Sequence, residues 1–326
     1  DLGSHINRRL AESSYIGIIT ALTTGDRRAI SSQQWSVLQK TGTSHLMAIS
    51  GLHVGLVSGI ALFLFRFAWA RVPALPLIYP AHKAAIIAAL LFAMFYSLLA
   101  GFSLPTQRAL LMLTILSISV LFSRRVRPFN ILSLTLLAVL VLDPLSILSA
   151  GFWLSFSAVT MILYTLLHRR NISSRIVNGA TRAIHLQWKL SLMIAPVTLI
   201  FFQYIPLAGP VANLIAIPVV AFFVVPLVLL ASLSYLVMGG GLLDQYLYQL
   251  VEFLLDYLWI LLDRLAAMAD ELSFSPDHSI VALTGFIYAV MIIMLPTGLR
   301  MRRLALVGLL VFLFPSRYEL GEGEFR

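Results

Sequence analysis

The sequence predicts an all-α protein, a polytopic transmembrane helix bundle with broken helices and one or two interfacial amphipathic helices. Three observations carry this. Hydrophobic residues make up 60% of the 326 and charged residues only 11%, against roughly 45–50% and about 25% in soluble domains, leaving too little polar surface to cover a water-soluble globule. Apolar runs long enough to cross a bilayer, about 20 residues each, recur from residue 52 onward. The basic residues, 23 Lys plus Arg against 14 Asp plus Glu for a formal charge of +9, cluster between those runs, where charge sets topology. Roughly eight to ten crossings fit the length. Cysteine is absent, which excludes disulfides, thiolate metal sites and a cysteine nucleophile.

Residues 4–24 mix Arg8, Arg9 and Glu12 with Leu10, Ile16, Ile18 and Ile19, a pattern for an interfacial helix rather than a spanning one. After Gly25-Asp26 comes SSQQWSVLQ, whose paired serines suit a helix start. Residues 1–42 are therefore expected to form extracytoplasmic or interfacial helices, 43–315 the transmembrane domain, and 316–326 a linker to a soluble domain beyond it. The chain is read as a piece of a longer protein. Spans are predicted over 52–71, 83–100 and 105–124, with Gly101-Phe102-Ser103 as the turn between the last two. A short one over 129–142 closes at Asp143-Pro144, and another covers 150–167. A basic linker, 171–189, leads into 190–204.

The stretch 207–237 holds Pro210, Pro218 and Pro226. It is too long for one straight crossing and is expected to be a half-helix plus a span, a break tolerated only where protein or water lines it. Beyond Gly239–Gly241, Glu252, Asp256, Asp263 and Asp270 fall in one narrow stripe of a long amphipathic helix. The last predicted spans are 279–295 and 304–314. Loop charge places Arg66, Arg71, Lys83, Arg124, Arg125, Arg127 and the 169–189 linker on one side, which the positive-inside rule makes cytoplasmic. Arg300, Arg302 and Arg303 join that side if the acidic helix also crosses. Both ends of the chain then face outward.

Ionisable groups at membrane depth are costly, so those that occur are candidates for function. The densest group lies in TGTSHLMAISGLHVG, residues 41–55. Thr43 or Ser44 suits a helix cap, Ser50-Gly51 suits a local opening, and His45 and His53 stand about 80° apart in azimuth if one helix holds both. That is not the i, i+4 histidine pair of a helical metal site, and no metal or cofactor is expected. A Ser50/His53 hydrolytic dyad lacks the nucleophile elbow and a positioned acid. Arg108, one turn into its span, either snorkels to the outer headgroups or holds a phosphate. Asp143 suits a helix end, Ser155 with Gly151 and Ser157 suits close helix packing, and Asn213 needs a partner or a pore.

The string GTSHLMAISGLHVG closely resembles the competence domain of the ComEC family, inner-membrane channels for DNA uptake. The resemblance extends over nearly the whole chain: ALTTGDRRAIS precedes it, and YSLLAGFSLPTQRALLM, LDPLSILSAGFWLSFSAV and FFQYIPLAGPVANLIAIPVV follow in order. It implies a bacterial cytoplasmic-membrane protein passing single-stranded DNA during natural transformation. Single-stranded DNA, membrane lipids, and the DNA-receptor and cytoplasmic motor components of a competence machinery are the implied partners, with an oligomer left open. Any nuclease activity is expected in a separate metallo-β-lactamase-like domain, so this chain is not expected to be an enzyme. The motif matches point to Asp26, His45, Ser50, His53, Arg108, Asp143 and Ser155 as lining or shaping the conduit, and Asn213 joins them. Competing classes are a small-molecule or lipid transporter or flippase and, third, an intramembrane hydrolase.

Overall fold

A computed structural model of the chain describes residues 2–122, 126–167, 177–202, 204–271, 285 and 289–290. The predicted spans 279–295 and 304–314, the tail, and Arg124, Arg125, Arg300, Arg302 and Arg303 fall largely or wholly outside them. Among the described residues the chain is helical, with no strands. The helices are α1 (Leu2–Arg9), α2 (Ile16–Thr24), α3 (Ser32–Lys40), α4 (Gly51–Arg71), α5 (Ala74–Ile78), α6 (Ala81–Leu99) and α7 (Leu104–Leu121). They continue with α8 (Pro128–Leu142), α9 (Ala150–Leu167), α10 (Val177–Phe202), α11 (Gly209–Val219), α12 (Val225–Met238) and α13 (Leu242–Glu271).

Among the described residues six helical stretches are long and apolar enough to cross a membrane: 51–71, 81–99, 104–121, 150–167, 181–202 and the compound run 209–238. α8 is a shorter apolar helix. Only 11–39% of the most apolar window of each span is buried within the protein. Each helix therefore contributes a thin section of wall rather than a layer of a deep core. Contacts run from α4 to α7, then to α8, α9, α10, α11 and the turn after α11, which touches α4 again. The wall closes on itself. α6 packs outside it against α4 and α7, while α13 backs α11 and α12.

Residues 4–24 form two helices, and the second is no surface element. Gly17, Ile18, Ile19, Ala21, Leu22 and Thr23 are buried, and Ile18, Ile19 and Leu22 form a cluster with Val220, Val224, Val228 and Leu255 from the α11–α13 region. Ile6 joins the same cluster from α1. A close approach fixes Gly17, because a Cβ there would lie 2.3 Å from the Ala29 carbonyl oxygen. The serine start of α3 is as expected: Ser31 Oγ accepts from the Gln34 N–H at 3.2 Å, and Gln34 Oε1 accepts from the Ser31 N–H at 3.2 Å.

The proline-rich run is interrupted by a π-helical turn, Val220–Val224, rather than by a loop separating a half-helix from a span. Pro226 has no N–H to give the ladder and its ring crowds the preceding turn. A wider turn just before it relieves that conflict without exposing backbone to lipid. The 171–189 linker also differs from expectation, since from Val177 onward it is the first part of α10. α13 is continuous over 30 residues and is not among the helices apolar enough to span. Its Glu252 is half-buried, and Asp256 and Asp263 are exposed.

Candidate functional site

α4 begins, α6 ends, α7 begins, α8 ends, α9 begins, α10 ends and α11 begins at one end of the bundle, as antiparallel neighbours must. His45, Ser50 and Asp143 lie in the connections at that end, and His53, Arg108, Ser155 and Asn213 in the first two turns of the helices that leave it. The opposite end carries Arg66, Arg71, Lys83 and Arg127.

Two groups of contacts assemble there. In the first, the 41–45 segment is clasped to the start of α11. Gly42 has φ +63°, and a Cβ on it would lie 2.8 Å from Pro206 Cγ. The Gly42 carbonyl accepts from Asn213 Nδ2 at 3.4 Å and faces His45 Nδ1 at 3.0 Å, a contact that places the proton on Nδ1. Tyr204 donates its hydroxyl to the Lys40 carbonyl at 3.2 Å, and the Thr41 and Thr43 hydroxyls meet at 2.9 Å. Asn213 therefore has the partner its burial demands, although its Oδ1 has none among the described residues.

In the second group, Gly25 (φ +80°) presses on the 100–101 turn, where a Cβ would lie 3.0 Å from the Ala100 carbonyl oxygen. Phe102 takes a left-handed conformation, φ 49°, uncommon for a bulky residue. Gln107 Nε2 supports it by donating to its carbonyl at 2.8 Å. Gly51 abuts Ala109, with a Cβ-to-Cβ approach of 3.3 Å were alanine there. Next to it Arg108 is only 5% exposed. Its Nη2 donates to the Gly151 carbonyl at 3.0 Å, and its Nε has no partner among the described residues. It does not snorkel. Among the described residues it has no carboxylate within ion-pair distance. A cavity of about 260 Å³ lies between α7 and the α8–α9 connection, lined by Gln107, Arg108, Thr114, Asp143 and Ser146 among apolar side chains.

The candidate residues are thus brought together in part. Asn213 and His45 share one carbonyl, and Arg108 and Asp143 share one cavity. Ser50 and His53 meet through the Ser50 backbone N–H, which donates to His53 Nδ1 at 3.3 Å. α4 starts at Gly51 with Ser50 as its cap residue, so His45 and His53 do not lie on one helix and the azimuth argument fails. Neither Thr43 nor Ser44 caps it. His53 is fully buried and its Nε2 has no partner among the described residues. Asp143 accepts from the Leu145 N–H at 3.1 Å, the helix-end role expected of it. Ser155 is half-buried on α9. Asp26 stands apart, in an exposed ion pair with Arg28 at 2.7 Å. That partner holds its carboxyl well below the usual range, at about 2.

Two features were missed in the sequence. Arg182, His185 and Lys189 fall within about 60° on the first half of α10, where a linker had been expected. A 3.6-residue periodicity through the basic run was the available signal. At the chain start, His5 stacks on Tyr235 with ring centroids 3.7 Å apart and reaches Asp244 at 2.9 Å, while Arg9 approaches the same carboxylate at 3.5 Å. Burial opposes ionisation of Asp244. The Gly241 N–H, His5 and Arg9 together outweigh it and hold the carboxyl below its ordinary range.

The arrangement defines a class: a polytopic α-helical membrane protein whose polar and glycine-bearing motifs are gathered at one end of a closed wall of spans. Residues 22–300 match the family model described as Competence protein, and the chain belongs to that family, the competence domain of the ComEC proteins. It is 36% identical over 223 residues to "Recombination protein 2" of Haemophilus influenzae, covering 66% of this chain and 28% of that protein. It is 31% identical over 301 residues to "Competence protein ComA" of Neisseria gonorrhoeae, covering 89% of this chain and 40% of that one. With "ComE operon protein 3" of Bacillus subtilis it shares 30% identity over 223 residues, 67% of this chain and 27% of the relative. The chain thus spans well under half the length of these relatives. No solved structure matches.

Proposed function

We propose that this chain is the membrane-spanning part of a DNA-uptake channel, passing single-stranded DNA across the cytoplasmic membrane during natural transformation. The observation that carries the reading is the convergence of the segments around residues 26, 42–53, 100–108, 143–151 and 204–213 at one end of a closed circuit of helices, in a chain that belongs to the competence family. A bundle that only filled a membrane would have no use for them. In this reading His45, Ser50, His53, Asn213 and Ser155 line or shape the conduit, Asp26 marks its outer loop, and Arg108 with Asp143 shapes its wall. The motif end faces outward. The opposite end, rich in Arg and Lys, faces the cytoplasm, where Arg182, His185 and Lys189 meet the emerging strand. A DNA receptor and a cytoplasmic motor supply capture and drive.

The test is association of a labelled single-stranded oligonucleotide with the chain reconstituted in liposomes, titrated with salt. A DNA conduit gives saturable binding that weakens steeply as salt rises, because phosphate contacts release counterions. A salt-independent signal, or none, overturns the reading.

A further inference from the structure

α4 and α6 form a hairpin whose tip, at the end opposite the motifs, is apolar where a connection is ordinarily polar. From Val72 to Ala81 the sequence reads VPALPLIYPA, in which the Tyr79 hydroxyl is the only polar side-chain group. α5 lies within it. Leu77 and Ile78 are 88% and 78% exposed. An apolar patch that the protein leaves uncovered marks an interaction surface.

The backbone of the tip indicates the medium that covers it. Pro73, Pro76 and Pro80 have no N–H to satisfy. The Leu75 and Tyr79 N–H groups donate within the tip, to the Val72 and Leu75 carbonyls, at 3.0 Å each. The Tyr79 carbonyl accepts from Trp69 Nε1 at 3.1 Å, which closes the neck. A turn built this way asks little hydrogen bonding of its surroundings, an advantage in lipid and none in water. Trp69 stands 18 residues after Gly51, the first residue of α4, about 27 Å along the axis. That is close to the thickness of a hydrocarbon core, about 30 Å. Trp69 and Tyr79 therefore stand where interfacial aromatic side chains belong.

The charges at the neck select the lipid. Arg66, Arg71 and His82 are exposed and Lys83 is half-buried. The Arg71 guanidinium lies 4.0 Å from the centre of the Phe67 ring, which holds the cation beside the stem of the hairpin and off the tip. No Asp or Glu occurs in the sequence between Asp26 and Asp143, and among the described residues none of these cations is ion-paired. An apolar tip above a purely basic collar is complementary to an anionic bilayer surface.

We propose that the 72–79 tip is seated in the headgroup–acyl boundary of an anionic bilayer, with Leu77 and Ile78 among the upper acyl carbons and Arg66, Arg71 and Lys83 against lipid phosphates. The inference goes beyond the proposed conduit and stands whether or not that reading holds.

The chain has no cysteine, so Ile78→Cys carries a single environment-sensitive fluorophore. The labelled full chain is reconstituted in vesicles of phosphatidylcholine alone and of equal phosphatidylcholine and phosphatidylglycerol. It is quenched with aqueous acrylamide or with lipid spin-labelled near the headgroup. In the anionic vesicles the label is expected to be shielded from acrylamide and quenched by the spin label. Arg71→Gln and Lys83→Gln are each expected to lower the ratio of shielded to accessible label about five-fold there, the value of one cation at an anionic surface, and to change nothing in neutral vesicles. Leu77→Asp should expose the label in both. A label equally shielded in the two vesicles, or an unchanged ratio in both charge variants, overturns the assignment. So does a label open to acrylamide in both vesicles, which would leave the tip in water for a soluble protein partner.

Discussion

Asn213, on α11, donates from Nδ2 to the carbonyl oxygen of Gly42, 171 residues earlier in the chain, at 3.4 Å. The carbonyl faces His45 Nδ1 as well. One backbone oxygen thereby joins the signature segment to the head of the compound helix. Asn213→Ala leaves His45 in place, so a loss of about 0.5–1.5 kcal/mol is expected, the ordinary net value of one hydrogen bond, read as a lower midpoint of denaturant unfolding in micelles.

Gly42→Ala should be worse. The left-handed backbone costs a non-glycine residue about 1–2 kcal/mol, and the new Cβ would enter the ring of Pro206, adding about 1–3 kcal/mol of forced displacement. Gly55→Ala is the matched control, since nothing lies within 4 Å of a Cβ there and helix propensity favours alanine by about 0.5–1 kcal/mol. Thermal melting of the two variants should move in opposite directions.

Ser50 reaches His53 through its backbone, so Ser50→Ala is expected to keep both fold and transformation in a host carrying the full-length protein. Ser50→Pro removes the N–H that donates to His53 Nδ1 and should lower transformation. Loss of function in Ser50→Ala would instead revive a nucleophilic serine.

The clamp of α1 on Asp244 should loosen in acid. A carboxyl whose folded value lies below its unfolded one contributes stability that is complete above the unfolded value, about 3.9. That stability is lost as pH falls through the lower folded value. Hydrogen exchange of residues 2–9 is expected to be slow at neutral pH and to accelerate below about pH 4. Asp244→Asn should exchange fast at both, with no step.

If Arg182 and Lys189 contact the strand, each change to Gln should reduce the slope of log affinity against log salt by about 0.7, the value for one single-strand phosphate contact. An unchanged slope would remove the α10 stripe from the path.

Much of the fold was legible because apolar length is a blunt, reliable signal: α4, α6, α7 and α9 begin and end within a few residues of where hydropathy placed them. Which face meets protein and which meets lipid was not legible, since both are apolar in a membrane. That is why α2 read as interfacial when Ile18, Ile19 and Leu22 are in fact buried. The candidate site was legible as a set of motifs and illegible as a set of contacts. Nothing local to Gly42 announces Pro206, and nothing local to Arg108 announces the Gly151 carbonyl that lets it stay buried. Prolines misled for a related reason: the chain accommodates Pro226 by widening one turn, which no residue type advertises.

The π turn at Val220–Val224 acts as a shim of one residue. Beyond it, Ser232 and Tyr235 sit at azimuths set by that extra residue. Regular α-helix through these positions with no residue removed would swing everything after it by about 100°, carrying Tyr235 away from His5 and the buried Val225, Val228 and Ala231 away from α2. An in-frame deletion of one codon there removes the wide turn together with its extra residue and so leaves those azimuths nearly unchanged.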